Sequence, residues 1–135
     1  ERIPEGYFDF LMLDAFSSDS IPAHLMSREA LQLYLSRLAP DGVLLFHVSN
    51  RYLDVARLVS ALITDASLVG FIKRDEAGLL QSEGKASSIH VVAARRLENL
   101  GSIPSIPGWM PVARPQSFRV WTDDYSNLLG IIQIR

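Results

Sequence analysis

Two kinds of apolar pattern alternate along the chain. Phe8-Asp9-Phe10-Leu11-Met12-Leu13 and Val43-Leu44-Leu45-Phe46-His47-Val48 are almost continuous runs, the pattern of strands buried on both faces. Between them, Leu31, Tyr34, Leu35 and Leu38 recur at helical spacing. Ser27 stands before this stripe as an N-cap, with Glu29 in the first turn. Pro40-Asp41-Gly42 is expected to end that helix and turn the chain. Val55, Leu58, Val59, Leu62, Ile63 and Ala66 mark a second helix, the clearest periodic signal in the chain. Leu68 to Lys73 and Ile89 to Ala94 read as a third and a fourth strand. The polar, glycine-bearing stretch from Asp75 to Ser87 joins them as a loop or hairpin connection. Gly101 to Pro115, rich in proline, reads as a surface loop, and Leu128 to Ile134 as a short apolar close.

This rhythm predicts a doubly wound α/β fold with a mostly parallel sheet. The late pair, Leu68–Lys73 and Ile89–Ala94, is open to antiparallel pairing, because mixed edges are common. At 135 residues the chain is one domain or part of one, and its 48% apolar share can supply a core. A net charge of −2, from 13 basic and 15 acidic residues without a long run of either sign, gives no nucleic-acid footprint and no polybasic membrane patch. The absence of cysteine excludes disulfides, thiolate metal sites and a cysteine nucleophile. No apolar run approaches the about 20 residues of a membrane helix. Glu1 to Gly6 is no signal peptide, and it enters a buried-type strand within a few residues, as a chain cut from a longer one would.

Candidate chemistry gathers where strands end. Asp14 closes the first apolar run, and ligands of open α/β sheets bind at the carboxyl ends of strands. With Asp19 it could hold a cation and accept its proton; alternatively Asp19 caps a turn and Asp14 is a solvated strand end. Asp123, Asp124 and Tyr125 could supply acids and a phenol to a pocket wall, or simply form a turn or helix start. Ser49 and Asn50 end the second strand on the ligand side, where Asn50 could equally cap the next helix. His47 and His90 lie inside strand patterns and read as packed, hydrogen-bonded residues; His24 alone adjoins the acidic loop. Ser17 and Ser18 lie beside an acid without an evident base. The eight glycines form no Gly-x-Gly, so the chain has neither a dinucleotide loop nor a phosphate loop.

Four segments together resemble a known family: Asp14-Ala15-Phe16-Ser17-Ser18-Asp19-Ser20-Ile21-Pro22-Ala23-His24-Leu25, Leu38-Ala39-Pro40-Asp41-Gly42-Val43-Leu44, His47-Val48-Ser49-Asn50-Arg51-Tyr52-Leu53 and Trp121-Thr122-Asp123-Asp124-Tyr125-Ser126-Asn127-Leu128. They look like the C-terminal half of spermidine synthase-like proteins, which have the class I S-adenosylmethionine-dependent methyltransferase fold. The resemblance implies strands four to seven of that Rossmann-like fold, without its glycine-rich N-terminal half. It implies an aminopropyltransferase of polyamine biosynthesis, which moves an aminopropyl group from decarboxylated S-adenosylmethionine to an amine. Methyl transfer from S-adenosylmethionine and a non-catalytic module are the rival readings. Asp14 then matches the family base and, with Ala15, adjoins the cofactor. Asp19 matches a second acid, but four residues separate the pair here where the family has two. Ser17, Ser18, His24, Asp123, Asp124 and Tyr125 fall on the substrate side. The expected partners are a small-molecule amine and a second copy of the chain in a cytoplasmic homodimer. No cofactor is expected to bind the isolated chain, which should be nearly inactive; decarboxylated S-adenosylmethionine or S-adenosylmethionine is the co-substrate expected of the complete domain.

Overall fold

The computed structural model describes residues 3–14, 22–50, 52–75 and 87–133. Its elements, in chain order, are β1 (Phe8–Leu13), α1 (Arg28–Arg37), β2 (Leu38–His47), α2 (Val55–Asp65), β3 (Val69–Asp75), β4 (Ser88–Ala94) and β5 (Trp109–Pro111), with short 3-10 turns between them. The strands form one sheet in the order β1-β2-β4-β3-β5.

The sheet corrects the expected fold class. Only β1 and β2 are parallel; β2–β4, β4–β3 and β3–β5 are all antiparallel. A doubly wound, mostly parallel sheet, and with it the assignment to strands four to seven of a methyltransferase fold, is therefore set aside. The physical reason lies in the connections. A parallel neighbour needs a crossover, and α1 and α2 are the only α-helices among the described residues. After β3 the chain reverses and returns as β4, which enters between β2 and β3.

Both helices pack on one face. Leu31 of α1 and Val55, Leu58, Val59, Leu62 and Ile63 of α2 join Leu44, Phe46 and Val48 in a single buried cluster. Phe71, Val92, Ala94 and Leu100 form a smaller cluster on the other face, with Val43, Leu45, Ile103 and Trp109 against it. The 3-10 turn at Leu97–Leu100 and, after it, the proline-rich stretch read as a loop, through its 3-10 turn at Ile103–Ser105, cover that face, and the stretch then adds β5 to the edge. Pro111 is tolerated there because an edge strand can do without one donor.

Two local expectations also change. Pro40-Asp41-Gly42 makes no turn but lies within β2, as a bulge where the pairing shifts from Phe8↔Leu38 to Phe10↔Val43. β1 is not buried on both faces: it is an edge strand, with Phe10 54% and Met12 47% exposed.

Candidate functional site: an Asp14–His47–Ser49 chain

The parallel pairing of β1 with β2 sets Leu13 opposite Phe46, so the next residues, Asp14 and His47, meet at the carboxyl ends of the two strands. His47 Nδ1 lies 2.8 Å from Asp14 Oδ1, and His47 Nε2 lies 2.8 Å from Ser49 Oγ. Ser49 Oγ also accepts the Ile89 backbone N–H at 2.8 Å.

For a neutral ring these contacts select the tautomer. An ionised carboxylate can only accept, so Nδ1 carries the imidazole proton and donates it to Asp14. When the ring is neutral, Nε2 keeps a lone pair and the Ser49 hydroxyl donates to it. The His47 ring stacks on that of His90, its partner across β2–β4, at 4.7 Å between centroids. Burial first, and the charge of His47 second, push the His90 imidazole below its usual range.

Asp14 Oδ1 is thereby occupied, while Oδ2 has no partner among the described residues. The Asp14 side chain is 52% exposed and that of His47 24%. The arrangement is a half-open carboxylate held in a fixed orientation, suited to receive a cation's proton.

The remaining sequence-predicted residues scatter. Ala15, Ser17, Ser18 and Asp19 lie outside the described residues. His24 is exposed on the 3-10 turn Ala23–Leu25. Thr122 and Tyr125 bridge each other, so Asp123 and Asp124 occupy a tight turn. Asp123 Oδ1 accepts the Ser27 hydroxyl at 2.6 Å, and its backbone N–H donates to Glu29 Oε2 at 3.0 Å; the turn is fastened to the start of α1. The Tyr125 ring lies under the Arg119 guanidinium, 3.9 Å from its carbon.

In the sequence His47 reads as a packed, hydrogen-bonded residue, and it and Ser49 stand apart from Asp14. The available signal was that two buried-type strands joined by a helix are parallel, which sets their carboxyl ends side by side. Asn50 does not cap α2. Its Oδ1 accepts from Tyr52 and Leu53 N–H, and Asp54 takes the cap by accepting from Arg57 N–H at 3.0 Å.

The described glycines serve turns and packing. A Cβ on Gly70 would meet Ile63, Val92 and Val112, and Gly6, Gly101 and Gly108 have positive φ. No described helix is long and apolar enough to cross a membrane, and no group of three metal-ligating side chains occurs among the described residues. Comparison with protein-family models, curated proteins and solved structures finds no match.

Proposed function

We propose that the chain carries the amine-activating part of a spermidine synthase-like aminopropyltransferase, with Asp14 as the base. The observation that carries this reading is the Asp14–His47 pair, which leaves one carboxylate oxygen without a partner among the described residues at a strand end. An alkylammonium titrates near lysine, at about pH 10, and cannot attack carbon until it loses a proton. Asp14 binds the ammonium by charge and takes that proton on Oδ2, while His47 keeps Oδ1 engaged. The freed lone pair then attacks the carbon beside the donor's sulfonium, and the C–S bond pair leaves on sulfur. The nucleoside end of decarboxylated S-adenosylmethionine is held by groups other than the described residues.

The proposed assembly is a cytoplasmic homodimer in which β1, the apolar edge with Phe10 and Met12 half-exposed, pairs with its copy. A two-fold axis at Phe10 would set Phe8 against Met12 of the second copy and Gly6 against Asp14.

The test is a titration of the chain with putrescine at constant ionic strength, by calorimetry and by the His47 imidazole resonances. Binding that Asp14→Asn abolishes supports the reading. Equal binding by Asp14→Asn, or the same response to uncharged 1,4-butanediol, overturns it.

A further inference from the structure

A second feature stands apart from the strand ends. Segment 117–130 folds over the start of α2 and encloses a cavity of about 150 Å³. Its walls include Arg57, Phe118, Arg119, Trp121, Tyr125 and Asn127. That is room for a carboxylate or phosphate with a few attached heavy atoms: an engineered apolar cavity of about this size admits benzene.

The wall chemistry is one-sided. Arg57 lies over the Phe118 ring, 5.4 Å from centroid to guanidinium carbon, and Arg119 over Tyr125 at 3.9 Å. An aromatic ring holds a guanidinium by its face and leaves the N–H edge to bind. One Arg57 N–H donates to the Gln116 carbonyl at 3.2 Å. Among the described residues, neither arginine forms an ion pair with a carboxylate. Two positive charges on one small cavity repel unless a counter-charge sits between them.

Trp121 adds an independent observation. It is 1% exposed, and its indole Nε1–H is buried without an acceptor among the described residues. An orphaned buried donor costs about 1–3 kcal/mol, and Trp121 lines the cavity wall. Its backbone is firmly placed, since the Trp121 carbonyl accepts the Arg28 N–H at 2.9 Å. The orphan is therefore not the mark of a loose segment.

We propose that this cavity is a binding site for a small oxyanion, a carboxylate or phosphate group gripped by Arg57 and Arg119 against the wall that Trp121 forms. Planar guanidinium forks match the paired oxygens of either group, and charge-assisted hydrogen bonds are about twice as strong as neutral ones. The site does not depend on the amine chemistry at Asp14.

The experiment is a ¹H–¹⁵N titration of the chain that follows the Trp121 indole N–H. Sodium phosphate and sodium acetate are compared with sodium chloride at matched ionic strength. A saturable shift of the indole resonance with phosphate or acetate, absent with chloride and lost in Arg57→Ala/Arg119→Ala, supports the site. Arg119→Lys, which keeps the charge and loses the fork, should weaken binding several-fold. Shifts that never saturate, that chloride reproduces, or that persist in the double variant overturn it. Both arginines are exposed, and the same spectra report whether each variant is folded.

Discussion

Replacing Ser27 with alanine tests what the Thr122–Tyr125 turn does. Ser27 is fully buried, and its hydroxyl does two things at once. It accepts the Ala30 N–H at 3.1 Å as the cap of α1, and it donates to Asp123 Oδ1 at 2.6 Å. Loss of a serine cap costs about 1 kcal/mol. A hydrogen bond to a charged group is worth about 1.5–3 kcal/mol; the low end applies, because Asp123 is exposed and water replaces part of the loss. Ser27→Ala should therefore destabilise the chain by about 2–3 kcal/mol in urea unfolding. Asp123→Ala removes only the second interaction and should cost about 1 kcal/mol or slightly more. The double variant should cost little more than Ser27→Ala, giving a coupling of about 1 kcal/mol in the cycle. Additivity within about 0.3 kcal/mol would refute the tie between the turn and the helix, and would return Asp123 to the pool of groups available to a ligand.

Three further outcomes are expected. Gly42→Ala places a Cβ 2.7 and 2.9 Å from Leu38 Cγ and Cδ1 and 3.0 Å from the Phe8 carbonyl oxygen; Leu38 is buried and cannot swing away, so urea unfolding should record a loss of about 1–3 kcal/mol. His90 is held below its ordinary pKa by burial and by His47, with Lys73 adding and Asp75 and Asp14 opposing. The unfolded chain then binds the extra proton, so thermal stability should fall as pH drops below about 6.5. His90→Gln should flatten that part of the Tm profile, and a wild-type Tm that rises on acidification through this window would contradict the assignment. Met12→Lys puts a charge on the exposed β1 edge; sedimentation velocity should find wild-type dimers and monomers of the variant, and monomeric wild type would remove the proposed assembly.

Much of the local structure was legible in the sequence. Three of the apolar runs became β1, β3 and β4 within a residue or two, whereas β2 begins five residues ahead of its run, at Leu38, which the helical spacing had claimed; Ser27 caps α1 as its type and position implied. The spacing of Val55, Leu58, Val59, Leu62 and Ile63 placed α2 and the face it buries. Pairing direction was less legible, because periodicity reports which residues are buried and not which strand lies beside which. A continuous apolar run likewise cannot distinguish an interior strand from an edge such as β1, whose Phe10 and Met12 remain open. Pro40-Asp41-Gly42 has turn chemistry, but the extra residues are absorbed as a bulge. Asp54, close to the start of α2, displaced Asn50 as the cap.

The site was half legible. Asp14 stood out as an acid closing an apolar run. His47 did not, because a histidine within a strand pattern is more often packed than functional. Only the shared register of β1 and β2 joins the two. Asp123 illustrates the converse: an acid in a conspicuous Asp-Asp-Tyr run whose carboxylate is taken up by Ser27.

The decisive measurement is the tautomer of His47, read from the ring-nitrogen shifts in a long-range ¹H–¹⁵N spectrum at neutral pH. The predicted result is a single neutral tautomer protonated at Nδ1, with Asp14→Asn and Ser49→Ala each disturbing it. A ring protonated at Nε2, or one that Asp14→Asn leaves unchanged, would contradict the fixed carboxylate on which the proposed amine chemistry rests.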